Sequence, residues 1–278
     1  MTCQLVCGPY RLSLERPLVM GIVNVTPDSF SDGGRHFDPA QAVAHARRLV
    51  GEGADVLDIG GESSRPGAQS VPAGEELRRV LPVLEALAGD GIPLAVDTVK
   101  PEVMRRAVAA GASLINDIAA LQAPGALEAA AESGAAVCLM HMQGEPRTMQ
   151  ADPRYGDVVM EVHDFLARRV AAARAAGIAA ERILVDPGFG FGKRLEHNLA
   201  LLRHLGRFND LGAGVLAGLS RKSMLGELTG RKVSQRETAS VAAALLAAQN
   251  GARILRVHDV AATRDALAVW RAVARQDL

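Results

Sequence analysis

Leu18-Val-Met-Gly-Ile-Val-Asn24 is a short apolar run that stops at a polar residue and then gives way to a loop and a helix-like stretch. The same unit recurs seven more times along the chain. Asp58 follows Ala54-Asp-Val-Leu, Asp97 follows Pro93-Leu-Ala-Val, Asn116 follows Ser113-Leu-Ile, and Met140-His141 follows Ala135-Ala-Val-Cys-Leu. Asp186 follows Arg182-Ile-Leu-Val, Ser220-Arg221-Lys222 follows Gly214-Val-Leu-Ala-Gly-Leu, and Arg256 with His258 follows Ala252-Arg-Ile-Leu. Eight strand-and-helix units predict an α/β fold, a (β/α)8 TIM barrel whose strand ends converge on one face. In such barrels that face carries the chemistry.

The stretches between the runs agree. Pro39 to Gly51, Glu75 to Ala88, Pro101 to Ala110, Gly125 to Ser133, Val158 to Ala176, Leu195 to Arg207, Arg236 to Gln249 and Ala261 to Arg275 are rich in Ala, Leu and Arg. Most carry apolar positions three or four apart and read as helices. Gly51, Gly111, Gly134, Gly177 and Gly251 close several of them just before the next run. Ahead of the first unit, Gly8-Pro9 separates two short strand-like pieces, read as a hairpin closing the bottom of the barrel.

With 278 residues and no linker-like or charge-dense segment, the chain is read as one domain spanning 1–278. Lys plus Arg balances Asp plus Glu, 31 against 31, so no global field draws nucleic acid or an anionic membrane, and any basic site must be local. No run approaches the length of a membrane span, and the N-terminal residues lack the pattern of a secretory signal. Cys3, Cys7 and Cys138 are odd in number and form no CxxC pair. A reduced, cytoplasmic protein is expected.

The loops after the runs hold the polar chemistry. Asn24-Val-Thr-Pro-Asp-Ser-Phe-Ser-Asp-Gly-Gly-Arg35 and Gly60-Gly-Glu-Ser-Ser-Arg-Pro-Gly-Ala68 are too polar for a core and too rich in Gly and Pro for a helix. Asp186-Pro-Gly-Phe-Gly-Phe-Gly-Lys193 sets two aromatics among glycines. These read either as a surface for a flat ligand or as phenylalanines tucked inward. Arg221, Lys222, Arg256 and His258 gather cations at the last two strand ends, where barrels often hold phosphate. Arg65 is placed to reach in from the second loop. Facing them are Asp58, Asp97, Asn116 and Asp186; a buried carboxylate is costly unless paired, which implies a ligand donor or a partner such as Lys222. Structural pairing is the stronger reading for Asp58 and Asp117, ligand contact for Asp97 and Asp186. His141, His163, His197, His204 and His258 make no HxxxH pair, so no zinc-type site is expected. A hard cation held mostly by phosphate oxygens is compatible with the rest.

Asn24-Val-Thr-Pro-Asp-Ser-Phe-Ser-Asp-Gly-Gly34, Asp58-Ile-Gly-Gly-Glu-Ser-Ser-Arg-Pro-Gly67, Asp97-Thr98, Asn116-Asp117, Asp186 to Lys193, Ser220-Arg-Lys-Ser223 and Arg256-Val-His-Asp-Val260 together resemble the dihydropteroate synthase family, in order and over essentially the whole chain. The resemblance implies condensation of 6-hydroxymethyl-7,8-dihydropterin diphosphate with p-aminobenzoate, with Mg2+. It implies a pterin deep in the barrel with Asp97, Asn116, Asp186 and Lys222 on its ring edge, and Met140 and Gly218 beside it. It implies diphosphate against Asn24, Arg65, Arg256 and His258, with Mg2+ on Asn24. Phe30, Ser64, Pro66, Phe191 and Ser223 match positions around p-aminobenzoate, and Asp32 belongs to the loop closing over it. Ser64 stands where the family pattern has Thr, a loss of one methyl. The resemblance also implies a homodimer through helices on the far side of the barrel. A pterin-dependent methyltransferase would share the acids without needing the diphosphate cations, and a noncatalytic pterin-binding paralogue would have one loop motif degraded.

Overall fold

The chain begins with two short strands, β1 (Gln4–Cys7) and β2 (Tyr10–Ser13), paired antiparallel across the turn at Gly8-Pro9. The computed structural model describes residues 4–26, 38–63 and 67–274. The eight apolar runs follow as β3 (Leu18–Asn24), β4 (Val56–Gly60), β5 (Leu94–Asp97), β6 (Leu114–Asp117), β7 (Ala136–Met140), β8 (Ile183–Asp186), β9 (Gly214–Ala217) and β10 (Ile254–Val257). All pair in parallel, and β10 returns to β3, so the sheet closes into the predicted barrel.

Each strand divides its side chains between two apolar layers, because successive residues point to opposite faces. Val19, Val23, Leu57, Ile59, Val96, Ile115 and Val185 face outward into the layer shared with the helices. Met20, Val56, Ala95, Leu114, Ala136, Cys138, Leu184, Leu216 and Ile254 face inward. Leu5 and Cys7 of β1 join this inner cluster from below, so the hairpin plugs the amino-terminal end as the sequence suggests.

The helices are α1 (Pro39–Gly51), α2 (Ala73–Leu87), α3 (Pro101–Ala109), α4 (Ala126–Ser133), α5 (Val158–Ala175), α6 (Leu195–Arg203), α7 (Ser223–Thr229), α8 (Glu237–Gln249) and α9 (Val260–Ala274). Asp38 caps α1 by accepting from the Ala40 N–H, and Asp157 caps α5 by accepting from Val159 and Met160. Two differences from the sequence reading stand out. The helix expected over Leu195 to Arg207 ends at Arg203 and passes into a 3-10 stretch, Leu205–Leu211. Helix α7, seven residues long with Gly226 in its middle, was not anticipated: it is too short to display a repeating stripe. Among the described residues, no helix is long and apolar enough to cross a membrane.

Candidate active site

The inward register of the strands builds the site. One step of two residues above the apolar inner layer lies a second layer: Asp58 above Val56, Asp97 above Ala95, Asn116 above Leu114, Met140 above Cys138, Asp186 above Leu184, Gly218 above Leu216 and Arg256 above Ile254. The period of two that sends apolar side chains into the barrel thus sends the following residues into its mouth. Gly218 leaves this layer open on one side, since a Cβ there would stand 3.9 Å from the Arg256 side chain and 4.0 Å from Asp186 Oδ2.

Arg256 ties the layer together. Its Nε donates to Asp58 Oδ2 at 2.5 Å and its Nη2 to Asp97 Oδ2 at 2.9 Å, while Asn116 Nδ2 donates to the same Asp58 oxygen at 3.2 Å. Asp58 is fully buried and its Oδ1 has no hydrogen-bond partner. Burial is tolerable here because the guanidinium compensates it; removing one member of such a pair leaves a buried charge at a cost of about 3–5 kcal/mol. The pairing reading of Asp58 is therefore the observed one. Asp117 likewise accepts from the Ala119 and Leu121 N–H groups at 2.7 and 2.9 Å.

The remaining acids and cations are tuned by burial. Desolvation pushes the Asp97 carboxyl up to about 7, with Arg256 opposing and Asp58, Glu76 and Asp117 adding to it. Asp186 is also raised by burial, although its Oδ1 accepts from the Gly188 N–H at 2.7 Å and Lys222 lies within its field. Burial pulls the Lys222 ammonium down to about 8, against the pull of Asp186. Its Nζ sits 4.0 Å from the centre of the Phe191 ring, a cation–π contact.

The glycine-rich loop sends its two phenylalanines, both buried, to different places. Phe189 is buried at 1% exposure in the layer between strands and helices. Phe191 packs with Met140 and Met149 at the mouth. Met140 stands in the same inward layer as the acids.

At the last strand ends the arrangement is more particular than expected. His258 Nδ1 lies 2.9 Å from Ser220 Oγ, which fixes the ring. Arg221, counted in the sequence among the anion-facing cations, instead pairs with Asp259 at 2.5 Å. Its backbone takes φ +58°, a rare conformation for a residue with a side chain. Asn24 is half-buried at the carboxyl end of β3, and Ser223 is exposed at the start of α7. Phe30, Asp32, Ser64, Arg65 and Pro66 lie outside the described residues.

Two groups escaped the sequence reading. Lys193 is buried at 3% exposure, and its ammonium donates to the carbonyls of Gly188 and Phe191 and stands 3.0 Å from His141 Nδ1. Glu76 of α2 is fully buried and pairs with Lys100 at 2.6 Å, and the same ammonium also meets Glu62. Glu76 meets Lys100 from 24 residues away, and Lys193 is held by carbonyls of its own loop together with His141, 52 residues away, so neither stands out in the sequence. A groove of about 550 Å³ on the outer flank, lined by Tyr155, Asp157, His197 and Arg207, contains none of the converging acids.

Residues 20–258 match the family described as pterin binding enzyme. A dihydropteroate synthase of Escherichia coli K12 is 53% identical over 262 residues, covering 94% of this chain and 93% of that protein. Among solved structures, a Xanthomonas albilineans dihydropteroate synthase with 4-aminobenzoic acid superposes with a TM-score of 0.93 at 60% identity, covering 100% of both chains. The Xanthomonas albilineans enzyme in complex with 7,8-dihydropteroate gives 0.89 at 58% identity, covering 99% of each. With the family's pattern running from β3 through β10 and a 53% identical relative matched across nearly its whole length, this chain belongs to the pterin binding enzyme family.

Proposed function

We propose that the chain condenses 6-hydroxymethyl-7,8-dihydropterin diphosphate with p-aminobenzoate, giving 7,8-dihydropteroate and diphosphate. The observation that carries this reading is the inward polar layer: Asp97, Asn116, Asp186 and Lys222 gathered over a sealed apolar floor. A flat ring with adjacent N–H donors and a carbonyl satisfies two carboxylates, an amide and an ammonium at once, and relieves the cost of burying them.

The methylene–oxygen bond to diphosphate breaks, leaving positive charge on the exocyclic methylene and the ring. Asp97 and Asp186 stabilise that charge, while Arg256 and His258 serve the departing anion. The amine of p-aminobenzoate, already a nucleophile, forms the new carbon–nitrogen bond and releases a proton. Phe191, Met140 and Met149 supply an apolar wall that keeps water from capturing the cation.

Mg2+ is proposed as the metal, with Asn24 as its protein ligand. Asn24, half-buried at the carboxyl end of β3, would offer it an amide oxygen, a hard donor. A hard cation held chiefly by diphosphate oxygens and one amide oxygen needs no cage of carboxylates. When bound, the ion neutralises charge on the leaving diphosphate.

A homodimer and a cytoplasmic location complete the proposal. Leu228, Val233, Leu246, Val269 and Val273, all exposed, fall between α7 and α9 in sequence, and exposed apolar side chains on these elements support self-association. Cys7 and Cys138 are free thiols, which suits a reducing compartment.

The test is incubation of the protein with pterin diphosphate, p-aminobenzoate and Mg2+. Diphosphate release that depends on the amine and stops on chelation is expected. Pterin binding without release would leave a binding protein, and transfer of a methyl group from a methylated cofactor would indicate the other chemistry.

A further inference from the structure

Lys193 closes the glycine-rich loop between β8 and α6, and its ammonium is the point around which that loop is wound. Burying an ammonium costs several kcal/mol unless its N–H donors are satisfied. A lysine has three. Here Nζ lies 2.9 Å from the Gly188 carbonyl, 3.0 Å from the Phe191 carbonyl and 3.0 Å from His141 Nδ1, with the His141 carbonyl at 3.4 Å. Burial, followed by the charge of Lys193, lowers His141 to about 3, so the imidazole is neutral and free to accept.

The rest of the loop is fastened to the same end. Asn198 Oδ1 accepts from the Gly190 N–H at 2.7 Å, Gln150 donates to the Gly190 carbonyl, and the Tyr155 hydroxyl donates to the Gly192 carbonyl at 2.8 Å. The outcome is a fixed division of two neighbouring rings. Phe189 goes into the strand–helix layer, and Phe191 goes to the mouth, against Met140 and beneath Lys222 Nζ.

Building on the reaction proposed above, we infer that Lys193 is a positioning residue for the arylamine: it fixes the carbonyls on either side of the loop and so aims the Phe191 ring at p-aminobenzoate, without touching substrate. A role as general base has a competing appeal, because burial, with Lys222 adding and Asp186 opposing, pulls this lysine down to about 7. Geometry decides against it. The ammonium is enclosed by backbone carbonyls and an imidazole, and at 3% exposure it has no path to a reacting amine. Of the groups proposed to face the pterin, Asp97 and Asn116 belong to β5 and β6, outside this loop, whereas Asp186 accepts from the Gly188 N–H and Lys222 rests on the Phe191 ring. Loosening it therefore weighs more on the arylamine, which meets Phe191 itself, than on the pterin, two of whose four groups lie outside the loop.

The experiment compares wild type, Lys193→Met and Lys193→Gln in the condensation assay, with pterin diphosphate binding followed separately by calorimetry and folding by thermal melts. In Lys193→Met the KM for p-aminobenzoate is expected to rise about tenfold or more, while the Kd for pterin diphosphate stays within about threefold. Lys193→Gln, which retains two donors in a similar volume, is expected to recover part of the loss. An unchanged KM for p-aminobenzoate, or equal losses for both substrates, would overturn the inference. If Lys193→Met does not fold, the Gln variant decides by the same comparison. Failure of both to fold would also overturn it, leaving Lys193 a residue of stability alone. Absence of amine-dependent diphosphate release in wild type would instead refute the underlying reaction, whatever the variants do.

Discussion

Arg256 and Asp97 stand 2.9 Å apart, Nη2 to Oδ2, with Asp58 holding the other edge of the same guanidinium at 2.5 Å. The guanidinium presents to Asp97 a planar N–H donor, the same kind of group that a 2-aminopterin edge presents. In the proposed reaction, a ring seated on Asp97 would take over that contact, and Arg256 would keep Asp58 while its freed edge met the diphosphate.

The first prediction follows from that exchange. Asp97→Asn and Lys222→Ala each weaken pterin diphosphate binding by more than about 100-fold, because each removes a charged partner in a water-poor site. Both variants fold. Calorimetric titration beside thermal melts checks this; a fall in melting temperature matching the fall in affinity would assign these residues to structural pairing.

A second prediction concerns pH. Asp97, raised by burial to about 7, must be ionised to receive ring N–H groups, so kcat/KM for pterin diphosphate climbs as pH rises through about 7. Lys222, lowered by burial to about 8, must stay protonated, so the same quantity declines above about 8. Lys222→Arg, whose charge persists, straightens the alkaline limb. For stability the sign is fixed by the same shift. A carboxyl raised in the folded state contributes stability below the ordinary carboxylate pKa and loses it as pH rises through about 7, and Asp97→Asn removes that slope.

Backbone geometry yields the third. Gly188 adopts φ +70° and a Cβ there would run into the His141 carbonyl, so Gly188→Ala is expected to cost more than about 3 kcal/mol. Gly177 has a comparable φ of +91° but open space around it, and Gly177→Ala costs about 1 kcal/mol. Urea denaturation of the pair separates collision from conformational preference.

Inhibition provides the fourth. A sulfonamide bearing an aniline ring offers the same flat face and amine as p-aminobenzoate, and competes with it. Phe191→Ala raises the KM for p-aminobenzoate and the Ki for the sulfonamide together, each about tenfold, through loss of a shared ring contact. Noncompetitive inhibition would show that the sulfonamide binds elsewhere, and an unchanged KM for p-aminobenzoate in Phe191→Ala would show that Phe191 does not face the arylamine.

The barrel and its polar layer were legible because one rule governs both. A strand's period of two makes the residue after an inward apolar side chain's outward neighbour point inward again, so Ala95 announces Asp97 and Leu184 announces Asp186. What stayed hidden depends on partners far along the chain. Arg256 reads as an anion ligand in sequence, yet it bridges Asp58 and Asp97, 198 and 159 residues away. Lys193 follows a glycine and shows no sign of burial in the sequence, where its partner His141 lies 52 residues earlier. Arg221 misled for a local reason: its positive φ sends the side chain to Asp259. Helix α7 is too short to show periodicity, and its boundary at Lys222 is fixed from outside, where Arg236 donates to the Arg221 and Lys222 carbonyls.

The β1–β2 hairpin, whose Leu5 and Cys7 stop the lower end of the barrel, turns the molecule into a well with a single rim. Whatever descends first to Asp97 and Asp186 is covered by whatever follows it, and neither can leave from below. For the proposed reaction such a well implies a queue: pterin diphosphate before p-aminobenzoate on the way down, and the joined product last on the way up. An arylamine that arrived early would occupy the rim and delay its own partner, so excess p-aminobenzoate is expected to slow turnover when pterin diphosphate is scarce, which initial rates at rising p-aminobenzoate check.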